Sequence, residues 1–96
     1  MIPQSKRCIL IYNILKNTHV RINGKVTSII LLKIKLAIEY HYVGACIDGA
    51  IKIYHMLTGE IVSVITSDIG FTMIENFENN KFITIDNDSK LKVYKY

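Results

Sequence analysis

Three histidines, two cysteines and eight acidic residues are the groups of this chain that do chemistry most readily, and their spacing gives them little to do together. His19, His41 and His55 have neither HxxxH nor HxH spacing, and Cys8 and Cys46 form no CxxC pair, so neither a metal site nor a Cys–His nucleophile has a local frame. Asp86-Asn87-Asp88-Ser89-Lys90 opens like a calcium loop, but Leu91 stands where such a loop requires glycine, and no glutamate closes it. The segment reads instead as a hairpin turn in which Asp and Asn side chains bond local backbone. Glu75 and Glu78 fall across a strand end and share no face. Phosphate-loop, nucleophile-elbow and dinucleotide glycine patterns do not occur. The expectation is a protein that is not an enzyme and uses no catalytic residues, cofactor or bound metal.

The informative residues are tyrosines. Cys8-Ile9-Leu10-Ile11-Tyr12, Ala50-Ile51-Lys52-Ile53-Tyr54 and Lys90-Leu91-Lys92-Val93-Tyr94 are versions of one another, with their tyrosines 42 and 40 residues apart. A period near forty residues signals a repeat architecture. An Asp-small pair, Asp48-Gly49 or Asp88-Ser89, precedes each of the last two copies by the same interval, and Thr58-Gly59-Glu60 follows the second. The string Asp-Gly-Ala-Ile-Lys-Ile-Tyr followed by Thr-Gly-Glu resembles the WD-repeat family of β-propellers, and the likeness spans nearly the whole chain. Tyrosine stands at the family's tryptophan position in all three copies, Asn13, His55 and Lys95 replace its aspartate, and its Gly-His pair has no counterpart. The family's buried Asp-His-Ser/Thr-Trp network therefore lacks its full complement. The resemblance implies that Tyr12, Tyr54 and Tyr94 are core residues at equivalent positions, while Asp48 and Asp88 serve their own turns.

The elements that hold these residues read as short strands. Arg7 to Leu15 and His19 to Ile22 form an outer pair, ended by the turn dipeptide Asn23-Gly24. Val26 to Leu32, Tyr42 to Ile47, Ile51 to His55 and Ile61 to Thr66 make one full blade, with Leu36 to Glu39 ambiguous; Phe71 to Phe77, Lys81 to Asp86 and Lys90 to Tyr96 make three strands of another. Residues 26 to 40 also tolerate helix, but the β-branched Val26, Thr27, Ile29, Ile30, Ile34 and Ile38 favour strand. The expected fold is all-β, an incomplete ring of about two to two and a half WD-like propeller blades. It forms one segment over 1–96, with outer strands 7–22, a full blade 26–66 and a partial blade 71–96.

Half of the residues are apolar, so the chain is built to bury surface rather than to stay disordered. A propeller closes with roughly four to eight blades, so this length calls for self-association or for other blades to complete it. The +4 charge is spread over twelve basic residues that mostly alternate with apolar ones, as on solvated strand faces. The function expected is a protein–protein interaction or scaffold module, with Asn23, Lys25, Ser67 and Asp68 as candidate partner contacts. The alternative is a small basic subunit of a ribonucleoprotein, contacting RNA phosphates. Two unpatterned cysteines, no secretory leader and no apolar run long enough to span a bilayer point to an intracellular, cytoplasmic setting without membrane partners.

Overall fold

Alternating apolar residues with high β-branched content favour pleated strands over helix, and strands are what this chain forms. A computed structural model describes residues 8–13, 17–32, 42–78 and 80–95. Among them are nine strands and no helix: β1 (Cys8–Asn13), β2 (Thr18–Asn23), β3 (Val26–Leu32), β4 (Tyr42–Ile47), β5 (Ala50–His55), β6 (Ile61–Ile65), β7 (Phe71–Asn76), β8 (Lys81–Asp86) and β9 (Leu91–Lys95). All pairings are antiparallel between sequence neighbours, giving a first sheet β1-β2, a second β3-β4-β5-β6 and a third β7-β8-β9. Of the stretch that also tolerates helix, residues 26 to 32 are β3; the ambiguous Leu36 to Glu39, His41, the first seven residues and Tyr96 lie outside the described residues.

The sheets stack in chain order, and side-chain alternation decides what each face buries. On the first sheet, Ile11 lies opposite Val20 and Ile9 opposite Ile22. Val20 and Ile22 are fully buried and join Val43, Ala45, Ile47, Tyr54 and Met56 of the second sheet in one apolar cluster. The second sheet's other face supplies Leu32, Cys46, Ile51 and Ile53, which pack with Phe71, Ile74 and Phe82 of the third. The second sheet is therefore covered on both sides, and β4 is buried along almost its whole length. A register shift between Val26 and Ser28 lets Val26 and Ile29 share the face toward the first sheet. The shift between Phe71 and Met73 does the same for Phe71 and Ile74. A bulge at the start of the first strand is thus a repeated feature of both larger sheets.

The second and third sheets are joined by hydrogen bonds as well as by packing. Ile74 N donates to Ser28 Oγ at 2.9 Å, Thr27 Oγ1 to the Thr72 carbonyl at 3.1 Å, and the Cys46 thiol to the Phe71 carbonyl at 3.3 Å. These contacts occupy the backbone freed at the β7 bulge and fix how the innermost strands β3 and β7 meet.

The three tyrosines occupy the equivalent face of their sheets, but they are not all core. Tyr54 is 5% exposed against the first sheet, and Tyr94 packs half-buried against the second, its ring stacked on Phe82 at 5.3 Å. Tyr12 is 65% exposed, which corrects the expectation of a core position. The reason is topological: no described sheet precedes β1-β2, so the face that buries Tyr54 and Tyr94 is open at Tyr12.

Thr84 is the odd polar residue in this packing, 1% exposed, with no hydrogen-bond partner for Oγ1 among the described residues. A buried hydroxyl without a partner costs about 1–3 kcal/mol. Thr84→Val keeps the shape and removes the unpaired group, so it should raise stability by about 1 kcal/mol, read as a higher urea midpoint at unchanged m-value.

Candidate interaction surface

No group of three or more His, Cys, Asp or Glu gathers among the described residues. Those nearest to chemistry have structural work. His19 lies beside the Tyr12 ring at 5.5 Å. His55 meets Tyr42 edge-on, and its Nδ1 accepts from Leu57 N at 3.2 Å. Cys46 sits buried between the second and third sheets.

The candidate contact residues do converge, at one end of the sheets. Asp48 and Gly49 form the two-residue turn between β4 and β5 with φ of 49° and 81°, the positive pair that a type I′ hairpin requires. The Asp48 carboxylate does not serve its own turn, as the sequence suggested. It accepts from Lys25 N at 3.0 Å, while Asp48 N donates to the Lys25 carbonyl at 2.9 Å, so the β4-β5 turn holds the start of β3. Gly49 in turn accepts from Phe71 N at 2.8 Å, extending the contact to the next sheet.

The third sheet repeats the latch with different residues. Asn87 N donates to the Gly70 carbonyl at 3.0 Å, and its side-chain amide donates to the Ile69 carbonyl. Asn87, not Asp88, is therefore the counterpart of Asp48. Asp88 is an exposed residue of the same turn, and its N–H donates to Asp86 Oδ1 at 2.9 Å, an oxygen that also accepts from Lys90 N. The physical cause is a longer turn: residues 87–89 separate β8 from the returning chain, with Ser89 at φ 63°, where two residues suffice between β4 and β5. Aligning on the tyrosines hides that extra residue, and Asn87 was missed for this reason.

Asn23, Lys25 and Asp68 are exposed and Ser67 half-buried in the loops before β3 and β7. Ser67 orders its own loop, accepting from Gly70 N at 3.2 Å on its carbonyl and from Ile69 N at 3.4 Å on Oγ. These residues, Asp48 and Asp88 thus border one rim of mixed charge. Tyr54 and Tyr94 lie away from it, each at the far end of the strand that rises from its turn, and Tyr12 lies toward the far end of β1.

The larger open surfaces are apolar. Leu10 and Tyr12 face outward from the first sheet, and Met73, Leu91 and Val93 from the third, all exposed. Between β6 and β9 lies a cleft of about 490 Å³, walled by Ile53, Val62, Ser63 and Ile65 on one side and by Phe82 and Tyr94 on the other. It opens there because the second sheet has a fourth strand and the third ends at β9.

Gly24 and Gly49 test the rim. A Cβ at Gly24, φ 120°, would lie 2.5 Å from Ile47 Cγ2, whereas one at Gly49 would meet only Gly70 Cα at 3.6 Å. Gly49→Val should cost about 1–3 kcal/mol from backbone strain alone, and Gly24→Val should cost more; denaturant midpoints against Lys92→Ala as the surface reference check the order. Burial also raises the Tyr54 phenol above its ordinary 10.0. The folded state then holds this proton more tightly than the unfolded chain, so the stabilisation is complete below pH 10.0 and fades as pH rises through the folded value. Alkaline unfolding of wild type and Tyr54→Phe should differ, with the variant losing less stability above that pH. No protein-family model, curated protein or solved structure matches the chain, so the reading of this surface rests on its own geometry.

Proposed function

We propose that the chain is a non-enzymatic protein-interaction module, an incomplete set of WD-like propeller blades that works as part of a larger assembly. The observation that carries this reading is the pair of open terminal faces. Each internal sheet-on-sheet contact buries a tyrosine face of one sheet against an aliphatic face of the sheet before it. Tyr12 with Leu10 is an unused tyrosine face, and Leu91 with Val93 and Met73 an unused aliphatic face. Burying an aliphatic or aromatic side chain of this size is worth about 1.5–3 kcal/mol, so covering either face is strongly favourable. Open apolar patches of this kind mark association surfaces.

In this reading the terminal faces meet blades from other chains or from further copies of this one. Three copies hold strands enough for a ring of about seven blades. The latched rim then serves as a loop edge on which Asn23, Lys25, Ser67 and Asp68 are displayed to partners.

Light scattering on the purified chain tests the reading. The expected outcome is a mass several times that of one chain, or solubility only when a partner is supplied, with Tyr12→Glu lowering the assembled fraction. A cooperatively folding monomer at micromolar concentration, indifferent to Tyr12→Glu, overturns it.

A further inference from the structure

The hydrogen-bonding phase of β9 turns the cleft beside it into a site for one more strand. Asp86 N donates to the Lys90 carbonyl, and the β8-β9 register runs from that pair to Lys81 opposite Lys95. Antiparallel ladders alternate hydrogen-bonded and non-hydrogen-bonded pairs. Lys90, Lys92 and Tyr94 accordingly spend their backbone groups on β8, and Leu91, Val93 and Lys95 direct theirs to the other edge. No strand pairs with that edge among the described residues.

The chain contains its own template for what belongs there. β5, the counterpart of β9, is paired on the same side by β6, with Ile51 opposite Ile65 and Ile53 opposite Ser63. At β9 that place is the opening of the 490 Å³ cleft, floored by Val62, Ser63 and Ile65.

Charge selects the occupant. Lys90, just before β9, and Lys92 and Lys95, on its two faces, are exposed, and none of them forms an ion pair within the described residues. A second copy is a poor fit: it carries +4, and two such edges would set lysine against lysine, which destabilises a cross-strand pair. The chain's own residues before β1 bring Lys6 and Arg7, of the same sign.

The geometry points to an extended, acidic, β-branched segment of a partner protein that adds to β9 as the fourth strand of the third sheet. Its backbone pairs with Leu91, Val93 and Lys95. An apolar side chain opposite Tyr94 enters the cleft, and flanking carboxylates reach Lys90, Lys92 and Lys95. This deepens the interaction-module reading, on which it rests, by naming the chemistry of one partner.

The test uses the full chain and a fluorescein-labelled peptide of about ten residues, the length of a long strand, built of valine and glutamate so that glutamates flank a central valine on its own face and one more stands on the opposite face, followed by fluorescence anisotropy. A valine–lysine peptide and an oligouridylate serve as the alternatives. The expected result is binding of the acidic peptide alone, weakened about tenfold or more by Lys92→Glu, which reads charge, and by Val93→Pro, which removes an outward N–H without taking a bond from β8. Circular dichroism confirms the fold of each variant, and Lys92→Glu, at an exposed side chain, decides the matter if Val93→Pro does not fold. Failure of the acidic peptide to bind overturns the inference. So does oligouridylate binding that Lys92→Glu abolishes in place of peptide binding, which would assign the edge to nucleic acid. A peptide-free dimer that Val93→Pro dissolves would assign it to a second copy, with the same effect. Light scattering on the same samples separates the two readings: a chain that assembles yet ignores the acidic peptide loses this inference and keeps the interaction-module function.

Discussion

A sheet that is apolar on both faces has to be covered on both, and the second sheet imposes that condition on everything around it. In β4 consecutive residues are buried, Val43, Ala45 and Ile47 toward the first sheet and Cys46 toward the third. Such a strand is insoluble by itself. Two strands suffice on one side and three on the other to bury its neighbours' side chains, so the partial sheets are covers for the complete one. The same rule applied to the covers exposes their own outer faces. Covering the second sheet therefore leaves an apolar face open on each of its covers.

Packing fixes distance between sheets but tolerates sliding; the latches at the rim remove that freedom. Asp48 holds Lys25 by two hydrogen bonds and Gly49 receives one from Phe71, so a single turn ties its own sheet's first strand to the first strand of the next. Asn87 gives the third sheet its equivalent of the first tie. An aspartate in one latch and an asparagine in the other meet different needs. The Asp48 side chain receives an N–H, whereas the Asn87 side chain donates to a carbonyl, which a carboxylate cannot do.

Strand positions were legible because alternation and turn dipeptides act locally. Asn23-Gly24 and Asp48-Gly49 place turns without reference to the rest of the chain, and the β-branched run of β3 outweighs its helix tolerance once paired with β4. The repeat of Tyr54 and Tyr94 carried the order of the sheets as well. Burial was not legible at Tyr12, because exposure there depends on what lies before β1 rather than on residue type. Nor was the role of Asn87, since a one-residue difference in loop length is invisible to an alignment anchored on tyrosine. The three-strand third sheet was legible too; what the sheet order adds is that, among the described residues, no strand pairs with the outer edge of β9, where Lys92 and Lys95 stand.

Edge strands usually resist unwanted pairing by carrying lysine, and β9 carries Lys92 on the face it shares with Tyr94, and Lys95 in the lining of the cleft. The same residues that repel other basic edges attract an acidic one, so protection and selectivity have one physical origin here. β6 shows the contrast. It is the outermost strand of the second sheet, with Ile61, Val62 and Val64 exposed and no charged side chain within its span. An edge of that composition pairs with little discrimination, and the apolar wall it presents to the cleft is sheltered only by what occupies the place beside β9. Filling that place would cover the wall and satisfy the free backbone of β9 in one step. The charge on β9 would govern which chain is admitted, and the apolar floor supplied by β6 would contribute most of the adhesion.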